Sequence, residues 1–190
     1  MPTEHEYKYL LSLDVADEEL QKLCSWSREI QQGYLAVSDD MNLRVRHSIH
    51  PMKDGDWVLT FKQKIAGRQI EVEQELELRD GMDLWEVSTR KLKKVRHLFP
   101  DGRIKWELDL FFGPDLYFAM MEVEVDEGAP RPDLPESLEF LKKHILYEVP
   151  LTDDRFSNKN LGDVSFATDL YNKYKEETWQ QPQRKGRSMT

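Results

Sequence analysis

A single cysteine, Cys24, stands in the 190 residues, so no disulfide can form within the chain. A chain of this length can bury a core large enough to fold without bridges, and one thiol fits a reducing compartment. No run of about 18 apolar residues occurs, which excludes a membrane-spanning helix and gives no reason to expect a membrane partner. The first residues, Met1-Pro2-Thr3-Glu4-His5-Glu6, have neither the basic start nor the apolar stretch of a secretory signal. The expectation is a cytoplasmic protein. Positive charge is also short: 36 acidic residues face 27 basic ones, for a net charge of -9. A general nucleic-acid binder needs a basic surplus on one face, so nucleic acid is not expected as a partner. Five histidines, at 5, 47, 50, 97 and 144, are scattered without metal-ligand spacing and read as structural or surface residues.

What the chain does have is a succession of short strand-like runs. They lie at 4–12, 33–37, 43–48, 56–64, 69–79, 92–98, 103–112 and 120–126. Turn chemistry separates several: Asp39-Asp40, Asp54-Gly55, Ala66-Gly67, Pro100-Asp101-Gly102 and Gly113-Pro114-Asp115. Helical spacing of Leu20, Leu23, Trp26 and Ile30, with Asp17 as N-cap and Gly33 as terminator, predicts a helix over 17–32. Further helices are predicted at 83–90, 134–146 and 161–178. About eight strands with few helices give a mainly β fold, an antiparallel barrel or curled sheet with helices packed outside.

Charge is the main signal. Residues two apart in a strand face the same way. Glu4, Glu6 and Lys8 therefore share a face, as do Arg44 with Arg46, Lys62 with Lys64, and Glu71 with Glu73 and Glu75. So do Lys94 with Arg96, Lys105 with Glu107 and Asp109, and Glu122 with Glu124. Their neighbours are mostly apolar: Val45, Phe61, Val72, Val95, Trp106, Leu108 and Val123. A sheet with one wet face explains polarity, but predicts Ser, Thr and Gln rather than doublets of like charge. Stacked like charges repel and call for a compensating ligand. A curled sheet with the charged face inside suits a polyanion with divalent cations: Arg and Lys on phosphate oxygens, carboxylates on hard metal ions. Trp57, Trp85 and Trp106 then belong to the outer apolar face, and Cys24 is a packed rather than nucleophilic thiol.

The first strand, Glu4-His5-Glu6-Tyr7-Lys8, has the ExExK pattern of the CYTH superfamily, the triphosphate tunnel metalloenzymes. Gln32-Gly33-Tyr34-Leu35, Leu43-Arg44-Val45-Arg46, Thr60-Phe61-Lys62 and Glu71-Val72-Glu73 follow in that family's order. So do Lys94-Val95-Arg96, Trp106-Glu107-Leu108-Asp109, Glu122-Val123-Glu124 and the segment from Asp153 to Lys159. The resemblance covers residues 1–165 and is closest to short single-domain bacterial members. Residues 166–179 form a helical extension beyond it, and 180–190 read as a disordered tail.

This resemblance implies an eight-stranded antiparallel β-barrel tunnel with an acidic and a basic half. It implies that Glu4, Glu6, Glu122, Glu124 and Asp109 bind metal, and that Lys8, Arg44, Arg46, Lys62, Arg96, Arg155, Lys159 and Tyr34 bind substrate. Glu71, Glu73 and Lys94 fall in catalytic positions, with the proton acceptor left open among them. The cofactor implied is a divalent cation, Mg²⁺ or Mn²⁺, two per site during turnover. Phe156 stands where relatives often have Tyr.

The function this supports first is metal-dependent hydrolysis of a triphosphate-containing small molecule, inorganic tripolyphosphate, to pyrophosphate and phosphate. Two alternatives stand beside it: a nucleotide reaction (NTP hydrolysis or class IV adenylate cyclisation) and a non-catalytic polyphosphate-binding module. Retention of all four glutamates of the first and eighth runs favours catalysis. The apolar outer face also leaves room for a homodimer.

Overall fold

Alternating residues of one strand must find partners on both sides, and the register of this chain satisfies nine strands in one antiparallel sheet. The computed structural model describes residues 4–15, 20, 24, 26–50, 53–66 and 68–185, without the side chains of residues 4, 50, 53, 54, 69 and 179–185. The strands are β1 (Glu4–Leu11), β2 (Trp26–Val37), β3 (Met41–His50), β4 (Lys53–Ile65), β5 (Arg68–Leu76), β6 (Arg90–Asp101), β7 (Ile104–Phe112), β8 (Leu116–Asp126) and β9 (Ile145–Val149). Their order is β5-β4-β3-β2-β6-β7-β8-β1-β9. The turn between β6 and β7 places Gly102 at φ +59, a left-handed conformation that glycine adopts without a side-chain clash.

The sheet curls. Tyr34 of β2 lies within electrostatic reach of Lys8 of β1, although four ladders separate the two strands. Curling is not closure, however. Among the described residues no ladder joins β5 to β9, so the expected eight-stranded barrel is a nine-stranded open tunnel.

Several expected boundaries move. Trp26–Gln32 is strand rather than the end of a helix over 17–32, because β3 and β6 pair with it on both sides. Of the preceding stretch, only Leu20 and Cys24 are described. The run 134–146 divides into a 3-10 helix, Glu136–His144, and β9, which completes the sheet beside β1. The helix expected at 83–90 begins earlier, at Leu78, and the strand before it ends at Leu76; we label this helix α1 (Leu78–Val87). The last helix resolves into α2 (Asn158–Leu161) and α3 (Val164–Lys185). The expected domain boundary at 165 therefore falls inside α3, which continues through residue 185.

Two apolar clusters fix the curl. On the outer face, Tyr9, Leu11, Trp106, Leu108, Met121 and Val123 pack under Leu134, Leu138 and Leu141 of the C-terminal half. On the inner face, Leu10, Phe111, Phe118 and Met120 meet Phe156, Leu161 and, from α3, Leu170 and Tyr174, which plug one end of the tunnel. Each fully buried side chain of this size contributes roughly 1.5–3 kcal/mol by leaving water. Helix α1 covers β2–β4 closely: a Cβ on Gly81 would collide with the Trp57 ring, and one on Gly33 with Ser88 and Trp85. Contrary to expectation, no helix covers the outer face toward the turn of the β4–β5 hairpin, where Ile65, Ile70 and Val72 are exposed.

Candidate functional site

Beyond the apolar plug, the inner face is charged. Strand register brings its acidic wall together: Lys8 lies opposite Glu122 across β1–β8, Glu107 opposite Glu122 across β7–β8, and Arg96 opposite Asp109 across β6–β7. Lys8 Nζ sits 2.7 Å from Glu6 and 3.2 Å from Glu122, and donates to the Phe156 carbonyl at 3.4 Å. Arg96 grips Asp109 as a fork, Nε to Oδ1 and Nη2 to Oδ2, both at 2.7 Å. The same guanidinium reaches Glu122 at 3.0 Å and pairs with Glu107. Lys94, fully buried, donates to Asp109 and, at 3.1 Å, to Asn158.

The electrostatics follow from burial and these partners. Burial pushes the Lys8 ammonium down, but Glu122 and Glu6 outweigh it and hold its pKa well above the ordinary range. Burial and Arg96 together push Lys94 down, against the pull of Asp109 and Glu122. Asp109 is raised by burial but lowered further by Lys94 and Arg96, and ends well below the usual carboxylate range. Glu122 is pushed up to about 7, first by burial and then by Glu6.

The opposite wall, β2–β5, is basic with an acidic margin. Lys62 faces Glu71 in register and pairs with it at 2.8 Å. Glu73 accepts from Thr60 at 3.0 Å and stands 3.8 Å from Arg46. Tyr34 accepts from Gln32 at 2.7 Å and is tied electrostatically to Arg44. Burial, then the neighbouring charge of Arg44, pushes Arg46 down. The buried Nε atoms of Arg28, Arg44 and Arg46 have no hydrogen-bond partner. Buried N–H donors are rarely left so, and guanidiniums in this state suit an anion.

The expected site residues do not all converge. Lys8, Arg44, Arg46, Lys62, Lys94, Arg96, Glu6, Glu71, Glu73, Asp109, Glu122 and Tyr34 share the inner face. Glu124 lies opposite Glu6 in the β1–β8 register, on the same face as Glu6 and Glu122, and is exposed. The backbone of Glu4 pairs with Asp126, and its side chain is outside the described residues. Arg155 closes on Asp153 through two hydrogen bonds, at 2.7 and 2.6 Å, and on the Tyr174 hydroxyl at 2.9 Å. The Lys159 carbonyl accepts from Arg90. Two inner-face residues were not expected. Arg28 was hidden in the stretch read as helix, and Asn158 has no pattern of its own in the sequence.

The donor set bears on metal binding. Among the described residues no three acidic or histidine side chains gather as a cage. Glu6 and Glu122 nevertheless converge on Lys8, and Glu122 Oε1 is buried without a hydrogen bond. Two such carboxylates fit Mg²⁺, which takes few protein ligands and fills its shell with water and phosphate oxygens. Asp109 is a poorer donor, since Arg96 and Lys94 occupy both its oxygens.

A profile of the CYTH domain matches residues 2–156. Among solved structures, the chain is similar to the hypothetical protein NE1496, with 25% identity over 84% of this chain and 97% of that one, at a TM-score of 0.51. It shares the fold of a Hippeastrum protein described as an adenylyl cyclase candidate with a dominant triphosphatase activity; identity is 16% over 66% of this chain and 80% of that one, at a TM-score of 0.50. No protein of curated function matches the sequence closely enough to lend it one. The ordered charge doublets, the curled sheet that gathers them on one inner face, and a profile match over most of its length together show that this chain belongs to the CYTH domain family.

Proposed function

We propose that this protein hydrolyses a linear triphosphate, inorganic tripolyphosphate before any nucleotide, to pyrophosphate and phosphate. The observation that carries the reading is the pairing of the two walls. One presents buried guanidiniums with unused N–H donors, and the other presents the carboxylates Glu6 and Glu122, which converge on Lys8. A polyanion accompanied by cations satisfies both at once.

Arg44, Arg46, Lys62, Arg96 and Lys8 hold the phosphate oxygens, the arginines as forks and the lysines as point charges. Tyr34 lines the plugged end. Glu6 and Glu122, with Glu4 and Glu124 on the same two strands, would hold divalent cations, Mg²⁺ or Mn²⁺, which would neutralise phosphate charge and acidify the attacking water. Water adds to the terminal phosphorus, the bridging P–O bond breaks, and pyrophosphate leaves. Glu71 and Glu73, exposed beside Lys62 and Arg46, are placed to accept the proton of that water. Lys94 keeps its ammonium turned toward Asp109 and stabilises charge rather than taking a proton. Arg155 and Lys159 act through the C-terminal segment that plugs the tunnel. Phosphoryl transfer depends on this kind of positioning and electrostatics more than on covalent help.

The test is phosphate release from tripolyphosphate, ATP, thiamine triphosphate and pyrophosphate, each with Mg²⁺, Mn²⁺ or EDTA. Metal-dependent release fastest from tripolyphosphate is expected. Cyclic AMP and pyrophosphate formed from ATP without free phosphate would replace hydrolysis by cyclisation. Tight binding without turnover of any substrate would leave a polyphosphate-binding module.

A further inference from the structure

Arg28 lies on β2, directly opposite Arg96 on β6. Two guanidiniums at facing register positions repel, and directly opposed like charges weaken a strand pair. Arg96 resolves its share of the conflict by gripping Asp109, Glu107 and Glu122. Arg28 has no such outlet. It makes no ion pair with any carboxylate among the described residues, and its Nε is buried without a hydrogen bond. Its side chain lies over the Trp26 ring at 5.0 Å, a contact that orients the guanidinium plane while leaving N–H donors free. The nearby carboxylates, Glu107 and Asp109, act on it only at a distance, and both are gripped by Arg96.

Position completes the case. Arg28 also lies within electrostatic reach of Arg46, which in turn neighbours Arg44 and Arg96. Arg28 thus joins the row of guanidiniums on the inner face, on the side away from the plug made by Phe111, Phe118 and Phe156. Tyr34, at the other end of β2, belongs to that plug. A cation with unused donors, stacked in place and set in a row of like charges, is an arrangement that an anion stabilises and that an empty tunnel does not.

We propose that Arg28 is a further substrate-binding residue, holding the end of a linear polyphosphate that lies farthest from the apolar plug. This rests on the triphosphatase reading above and deepens it. Arg28 contacts the outer phosphoryl group together with Arg96, across the β2–β6 pair, and sets how firmly that group is held.

The test compares wild type, Arg28→Gln and Arg28→Lys by calorimetric titration with sodium tripolyphosphate in EDTA, by thermal melts with and without it, and by steady-state phosphate release with Mg²⁺. Arg28→Gln is expected to weaken binding roughly 10–100-fold, the range of a lost charge-assisted contact. KM rises accordingly, with kcat changed less. The Tm of the free protein is unchanged or higher, because a repelling charge is gone, while the ligand-induced rise in Tm shrinks. Arg28→Lys restores part of the affinity as a point charge without the fork. A lower Tm in the free Arg28→Gln protein with tripolyphosphate affinity intact would make Arg28 a structural residue and overturn the proposal. Wild type that neither binds nor hydrolyses tripolyphosphate would overturn the triphosphatase reading itself, and this proposal with it.

Discussion

The two walls of the tunnel carry similar residues and treat them differently. On the β6–β7–β8–β1 wall, the buried basic side chains Lys94, Arg96 and Lys8 are answered from within the protein: Lys94 and Arg96 by Asp109, Lys8 by Glu6 and Glu122. On the β2–β3 wall, Arg28, Arg44 and Arg46 keep buried donors with no partner. The first arrangement is that of a structural ion network, in which removing one member strands the others in a poorly solvated place. The second resembles half of a complex, its missing half an anion. Charge on this inner face therefore occurs in two states, with its hydrogen bonds already made inside the protein or with donors still unpaired.

The comparison breaks first, and hardest, at Asp109. Asp109→Ala leaves Lys94 and Arg96 buried without their shared carboxylate, and loss of one partner from a buried pair costs about 3–5 kcal/mol. A urea unfolding curve should show its midpoint falling accordingly, and a midpoint near wild type would mean the network is not structural. On the other wall, Arg44→Gln and Arg46→Gln should each reduce tripolyphosphate affinity about 10–100-fold with little change in the Tm of the free protein. Calorimetry and a melt on the same samples separate the two quantities. If Tm falls and affinity holds, the walls are alike after all.

Glu122 tests the junction. Glu122→Gln keeps the shape and removes the charge, so the Mg²⁺ concentration needed for half-maximal phosphate release should rise at least tenfold. An unchanged Mg²⁺ titration would remove Glu122 from the cation site. The smallest effect lies outside the tunnel, at Asp153. The hydrogen bonds from Arg155 hold its carboxyl below the ordinary value near 3.8. That contribution is fully present above about pH 4 and is lost as the pH falls through the depressed folded value. Arg155 is partly solvent-exposed, so the effect stays below about 1 kcal/mol. In Asp153→Asn the unfolding midpoint should drop slightly at neutral pH and match wild type in strong acid; a constant difference at all pH values would assign the loss to packing instead.

Much of this was legible in the residues. The parity of Glu71, Glu73 and Glu75 against Val72, or of Lys94 and Arg96 against Val95, follows from the two-residue period of a strand and needs no partner to be read. The same parity put Arg96 and Asp109 each on the charged face of its strand, but not opposite one another: register across β6 and β7 depends on a turn whose exact length the sequence leaves open. Arg28 was lost because Leu20, Leu23, Trp26 and Ile30 satisfy helical spacing. Trp26, Arg28 and Ile30 satisfy strand alternation equally well, and only pairing with β3 and β6 decides between them. β9 was missed, its first two residues taken into the helix expected over 134–146, because Ile145–Val149 is five residues long, with no alternation of its own. Arg155 fitted a motif by order, yet its side chain is taken by Asp153 and Tyr174, contacts within the C-terminal segment and α3 that no strand pattern announces.

Lys94 reaches Asn158 and Lys8 reaches the Phe156 carbonyl, contacts spanning 64 and 148 positions of sequence. Synthesis runs from the N-terminus, so the residues that finish the plugged end are made after all nine strands. A nascent chain can lay down β1 through β8 in order, but it holds two catalytic-face lysines without these partners until residue 158 has left the ribosome. Long-range closures of this kind slow folding, because chain entropy is lost before the contacts that compensate it can form. The plugged end of the tunnel thus forms only after β1 to β8 have been made.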